Sequence, residues 1–140
     1  MALFDHLLIP VATENDARAT CAALQPHLDH LERVTAIHVI EKAGGGIDKA
    51  PLAKRQQDGR EILALVESLI APTVDVEIEV VYGTDVVDTI FEAAVDANAE
   101  AVAFQARGGS RITRLLSGDT TSKLVTDPAV PVISLPKQSE

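Results

Sequence analysis

Two arginines flank a pair of glycines in Arg107-Gly108-Gly109-Ser110-Arg111, and Arg114 follows three residues later. Three of the chain's 12 basic residues thus fall within eight positions of a protein that carries 21 acidic ones. Gly108 and Gly109 permit a backbone to approach a phosphate closely and to point its N–H groups at it. Arg107, Arg111 and Arg114 can neutralise such an anion through fork-like hydrogen bonds, and Ser110 offers a hydroxyl beside them. A plain loop whose arginines pair with surface carboxylates explains the same spacing equally well.

Ser117-Gly118-Asp119-Thr120-Thr121 reads as the start of a helix, where free N–H groups favour a phosphate. Asp119 is placed to cap that helix itself. A fixed carboxylate there occupies part of the anion site and repels a phosphate, unless a divalent cation such as magnesium bridges the two.

The remaining reactive side chains form no catalytic motif. His6, His27, His30 and His38 are scattered, and the spacing of His27 and His30 suits surface residues better than a metal site. Ser110, Ser117 and Ser122 have no evident base, and there is no nucleophile elbow, Walker loop or dinucleotide fingerprint. Asp85 and Asp88 read as carboxylates favoured by a helix N-terminus. Cys21 is the only cysteine, which excludes an intramolecular disulfide and suits a small buried hydrophobe.

These residues must be positioned by an aliphatic core. Of the 140 residues 46% are apolar, with three phenylalanines, one tyrosine and no tryptophan. Such a length predicts one domain over residues 1–140, and the composition excludes disorder. A net charge of -9 disfavours a nucleic-acid partner, which needs a positive footprint on the phosphates. The longest early apolar run, Leu7 to Ala12, falls far short of the ~20 residues that span a bilayer. The acidic start, with no basic leader segment, reads as a first strand, so the expected location is the cytoplasm and no membrane is implied.

Periodicity predicts strands at Leu3–Val11, Val34–Ile40, Val74–Val80, Ala101–Phe104 and Val130–Leu135. The helix after the first strand, capped by Thr13, buries Ala17, Cys21, Leu24, Leu28 and Leu31. A second spans much of Leu52–Ile70 on a stripe of Ile62, Leu63, Val66, Leu69 and Ile70, with Gly59 as a weak point of about 1 kcal/mol. A third starts at Thr84 or Asp85, carries Val86, Val87, Ile90, Phe91 and Ala94, and stops near Asn98. A fourth covers Thr120 to Thr126. Gly44 to Gly46 open a loop, and Tyr82-Gly83 is expected to turn the chain.

Strand and helix alternating in this way make an α/β fold, an open parallel five-stranded sheet with helices on both faces. Asp75, Glu77 and Glu79 alternate with apolar residues, so that strand belongs at an edge with one face wet. Pro131 suits a strand start or an edge, and the apolar segment Val130–Leu135 predicts edge pairing with a second copy, a homodimer.

LLIPV at the start, IHVIE in the second strand, YGTDVVDTIFEAAVDANAEAVAF in the middle and RGGSRITRLLSGDTTSKLVTDPAVPVISLP at the end together resemble the universal stress protein family. The resemblance covers residues 3 to 136. It implies a Rossmann-like fold of the adenine nucleotide alpha hydrolase type, strand order 3-2-1-4-5, and dimerisation through the last strand. Some members bind ATP or AMP and others bind neither. Where they bind, the signature is Gly-x-x-Gly, nine residues, then Gly-Ser or Gly-Thr. Here Gln105 stands at its first position, Gly108 at its second, Gly118 at its third and Asp119 at the hydroxyl.

The adenosine-recognising aspartate after the first strand corresponds to Ala12, and Val39 corresponds to a backbone position facing adenine. The implied site thus joins Ala12, Thr13 and Val39 to Arg107, Gly108, Gly109, Ser110, Arg111, Arg114, Gly118, Asp119 and Thr120. Each altered polar position removes about 1–3 kcal/mol of binding. The expected function is that of a stress-associated, non-enzymatic protein binding ATP, AMP or another small anion, with magnesium where Asp119 takes part. The alternatives are an interaction or regulatory protein that has lost the nucleotide, and a weak magnesium-dependent ATPase.

Overall fold

The computed structural model describes residues 4–41, 50–105 and 128–135. The Gly44–Gly46 loop, the helix expected over 120–126 and the site residues from Arg107 to Thr120 lie outside them. The elements are β1 (His6–Pro10), α1 (Glu14–Leu24), a 3₁₀ stretch (Gln25–His30), β2 (Arg33–Glu41) and α2 (Ala50–Ile70). They continue as β3 (Asp75–Gly83), α3 (Val86–Asp96), β4 (Ala101–Gln105) and β5 (Val132–Leu135). All five strands run parallel in the order β3-β2-β1-β4-β5.

Period-two alternation sorts each inner strand into two apolar faces. Leu7 and Ile9 of β1, Val34 and Ala36 of β2, and Ala101 and Ala103 of β4 meet α1 and α2. Leu8, Ile37, Val39, Val102 and Phe104 point the other way, against Val86, Val87, Ile90 and Phe91 of α3. The face under two described helices is rich in alanine, which lets both helices lie close to the strands. The face under α3 carries the larger side chains. Leu8, Ile9, Leu24 and Ile37 have no exposed surface, and each such burial stabilises by roughly 2 kcal/mol.

The expected stripes meet this core with two corrections. On α2, Ile62, Leu63, Val66 and Ile70 are buried, but Leu69 keeps 36% of its surface at the margin of the stripe in the last turn. The first helix ends at Leu24 because Pro26 cannot continue its hydrogen bonding, and Leu28 reaches the core from a 3₁₀ stretch instead. His27 and His30 are exposed on that stretch.

Tyr82 and Gly83, expected as a turn, complete β3 by pairing with Ile40 and Glu41. A Cβ at Gly83 would collide with the Thr89 hydroxyl, which itself donates to the Asp85 carbonyl at 2.7 Å. Glycine there lets α3 fold back at once.

Asp85 caps α3 by accepting from the Asp88 N–H at 3.0 Å. The helix closes through Asn98, whose φ of 61° is left-handed. The Asn98 N–H bonds the Val95 carbonyl and the Ala99 N–H bonds the Ala94 carbonyl, a Schellman arrangement that leads directly into β4. β3 lies at one edge with Asp75, Glu77 and Glu79 exposed, as their alternation requires. Arg33 of β2 reaches Asp75 at 3.8 Å and Glu77 at 3.7 Å in wet, weak pairs. β5 forms the other edge, and Val102 N–H bonds the carbonyl of Pro131, the one ladder group that proline keeps.

Glu100 fastens the amino end of β4 to β1. Its carboxylate accepts from the Asp5 N–H at 2.5 Å and the His6 N–H at 3.2 Å, and its own N–H bonds the His6 carbonyl. The Asp5 N–H first, and then the His6 N–H, hold this carboxyl below its ordinary value of 4.5. A depressed carboxyl stabilises the fold above its unfolded value and loses that contribution as pH falls through the folded one. Glu100→Gln is therefore expected to lower the urea midpoint near pH 6, with the gap to the unmodified protein closing as pH falls through the lowered value of the folded carboxyl. A gap that stayed equal over that fall would assign the loss to something other than the charge.

Candidate functional site

The strand order reverses at β1, which pairs with β2 on one side and β4 on the other. Open α/β sheets present their crevice beyond the carboxyl ends of the strands at this point. There the chain leaves β1 through Val11, Ala12 and Thr13 before entering α1. The Val11 N–H bonds the Ile37 carbonyl at 2.9 Å, which carries the β1–β2 ladder one residue past the strand. Thr13 caps α1 by accepting from the Asp16 N–H at 3.1 Å, while its carbonyl takes the Ala17 N–H at 2.9 Å.

A cleft of about 370 Å³ opens at this turn, between Ala12, Thr13 and Glu14 on one side and α2 on the other. Arg55, Asp58, Glu61 and Ile62 supply the α2 wall, and His38 of β2 stands at the back. The Arg55 guanidinium donates to the Glu41 carbonyl at 2.6 Å, and Asp58 pairs with Lys54 at 3.4 Å. With three carboxylates and one guanidinium on its rim, this part of the cleft does not attract an anion. Its chemistry is that of an acceptor-rich wall, suited to hydroxyl, amine and ring N–H groups.

His38 is fixed within it. Its Nδ1 lies 2.9 Å from the Val11 carbonyl, which can only accept, so Nδ1 carries the hydrogen. In the neutral ring Nε2 is then the acceptor. Gly59 of α2 packs on this imidazole: a Cβ there would stand 2.7 Å from His38 Cδ2. The glycine expected to weaken α2 is where the helix passes the histidine ring.

Of the sequence-predicted site residues, Ala12 and Thr13 line the cleft. Val39 is buried on the opposite face of the sheet, in the cluster under α3. Gln105 ends β4 fully buried, beside Leu135 of β5. Arg107, Gly108, Gly109, Ser110, Arg111, Arg114, Gly118, Asp119 and Thr120 lie outside the described residues. Sequence reasoning passed over His38, Arg55, Asp58 and Glu61. The available signal was Gly59, an isolated glycine in a helical pattern, which marks a close approach.

A larger hollow of about 600 Å³ lies between α3, which supplies Val87, Phe91 and Val95 with Asp88, Glu92 and Asp96, and Pro128 and Ala129 ahead of β5. It lacks convergent groups from several strands, so the smaller cleft is the better candidate. Among the described residues, no three or more His, Cys, Asp or Glu side chains are grouped to hold a metal ion. Cys21 is buried on α1, and burial pushes its thiol up to about 11, which keeps it protonated near neutral pH. No helix among the described residues is long and apolar enough to cross a membrane.

The model of the universal stress protein family matches residues 3–136, nearly the full length of the chain. The protein belongs to that family. Its fold is similar to that of a universal stress protein family member from Burkholderia pseudomallei. The two are 19% identical, with a TM-score of 0.73 over 97% of this chain and 98% of the other. The universal stress protein of Archaeoglobus fulgidus in complex with dAMP is 14% identical, with a TM-score of 0.64 over 96% and 99%. A universal stress protein in complex with cAMP is 15% identical, with a TM-score of 0.67 over 98% and 100%. No curated protein sequence matches the chain. At these identities the solved structures establish the fold, and the family model establishes membership.

Thr13 carries a local test. Thr13→Ala is expected to cost about 1 kcal/mol in urea denaturation and to speed amide exchange at Asp16, whereas Thr13→Ser retains both.

Proposed function

We propose that this protein is a non-enzymatic, stress-associated member of its family that binds an adenine nucleotide at the carboxyl ends of β1, β2 and β4. The observation that carries the reading is the cleft at Ala12, Thr13 and His38, which opens at the turn leaving β1, the strand on whose two sides β2 and β4 lie. Similarity to proteins in complex with dAMP and cAMP supports the ligand class.

The charges orient the ligand. The wall formed by Glu14, Asp58 and Glu61 repels phosphate and suits the sugar and base. The phosphate belongs toward the segment after β4, where the sequence supplies Arg107, Arg111 and Arg114 around Gly108 and Gly109, followed by Ser110, Gly118, Asp119 and Thr120. With Asp119 at the hydroxyl position of the family signature, its charge is of the same sign as a phosphate's, and magnesium between the two would remove the repulsion.

Calorimetric titration with AMP, dAMP and ATP, with and without magnesium, tests the reading. Micromolar binding is expected, weakened about tenfold or more in the double variant Arg107→Ala, Arg111→Ala. Binding strengthened by magnesium and insensitive to it in Asp119→Asn would identify the bridge. Absence of heat and of any melting shift for every combination would replace this reading with an interaction protein of the same fold.

The same proposal includes pairing of two copies through β5. That strand is a sheet edge of four residues, on which Val132 and Ile133 are only partly covered. Analytical ultracentrifugation at micromolar concentration is expected to show a dimer that Ile133→Lys dissociates. Monomer alone in the unmodified protein would rule the pairing out.

A further inference from the structure

We infer that Gly59 and His38 form a mechanical link through which α2 sets the position of the β1–α1 turn, making His38 a positioning residue for the cleft. The link rests on contacts that run in one direction across three elements. α2 touches the His38 ring at Gly59, so closely that a methyl group there would stand 2.7 Å from Cδ2 and 3.2 Å from Cγ. The ring in turn holds the Val11 carbonyl through Nδ1 at 2.9 Å. Val11 precedes Ala12 and Thr13, which form the opposite wall of the cleft and the cap of α1. A displacement of α2 toward the sheet therefore pushes the imidazole, and the imidazole carries the turn with it.

The first half of α2 is anchored for this purpose at the same end of the sheet. Arg55 donates to the Glu41 carbonyl at 2.6 Å, and Gln56 donates to the Tyr82 hydroxyl at 2.8 Å. Arg55 and Asp58 line the cleft, whereas Gly59 faces His38 one residue later. Any ligand that draws Arg55 or Asp58 inward consequently moves the residue that bears on the ring. The two walls of the cleft are joined behind it and close as one unit. The ligand readout below rests on the proposed nucleotide reading, while the amide readout stands apart from it.

Gly59→Ala is the direct test. Alanine improves helix propensity, so a glycine whose added methyl group met nothing would yield a protein of equal or higher stability. Displacement of the ring instead predicts loss of the Val11 hydrogen bond, faster amide exchange at Asp16 and Ala17, and about tenfold weaker dAMP binding. In a His38→Ala background the added methyl group has no ring to strike, so Gly59→Ala should have no further effect on either readout. His38→Asn places an amide donor near the position of Nδ1 and should restore the slow exchange that His38→Ala loses. If Gly59→Ala does not fold, the comparison of His38→Asn with His38→Ala decides the matter.

Unchanged exchange and affinity in Gly59→Ala would overturn the link, as would equal effects of that substitution with and without His38. Equal exchange in His38→Asn and His38→Ala would overturn it too. Should the unmodified protein bind none of AMP, dAMP and ATP, the nucleotide reading fails, and the link is still decided by the exchange of Asp16 and Ala17.

Discussion

β1 is hydrogen-bonded along both edges and covered on both faces, and this double burial constrains the rest of the molecule. A strand in that position must be apolar on successive residues, as Leu7, Leu8 and Ile9 are, because no side chain can turn to water. It also fixes where the sheet reverses, since β2 and β3 are laid down on one side and β4 and β5 on the other. The turn leaving β1 therefore emerges at the crevice with its backbone groups already committed. Val11 N–H serves Ile37, Val11 C=O serves His38, and the Thr13 side chain serves α1. What remains for a ligand is the surface those commitments leave open.

The alternating apolar faces made the architecture readable before any coordinates. Strands announced themselves by period two or by continuous apolar runs, and helices by residues spaced three and four apart. The acidic alternation at Asp75, Glu77 and Glu79 could only belong to an edge, and it does. The errors are equally physical. Leu28 and Leu31 continued the helical spacing of α1, but after Pro26 Leu28 sits in 3₁₀ geometry and Leu31 follows it in extended backbone. Leu69 matched the stripe of α2, yet it lies at the margin of a face whose centre runs through Leu63, Val66 and Ile70. Tyr82-Gly83 had turn composition, while its role was set by a neighbour: Thr89 requires the missing Cβ at Gly83.

The candidate site was less legible, because its walls come from segments distant in sequence. Ala12 and Thr13 were found by their place after the first strand. His38, Arg55, Asp58 and Glu61 were not, since nothing in the linear spacing of a histidine in one strand and charges on a helix reveals that they share a cleft. Gly59 was seen and read as a local cost in helix propensity. Its meaning depends on the ring across from it, which is a tertiary fact. The resemblance pointed to the backbone of Val39, on which the burial of that side chain beneath α3 has no bearing.

The two margins of the sheet differ in a way that bears on how many molecules can join. At one, nine residues of β3 present Asp75, Glu77 and Glu79, so a second molecule arriving with the same margin brings like charge against like. At the other, β5 is short and uncharged. Were both margins equally receptive, each addition would leave a fresh one open, and molecules would string together without limit. With one margin repelling its own kind, growth through the proposed pairing stops at two. In that proposed pairing the carboxylates of β3 would act as a terminator, setting copy number from a strand outside the contact.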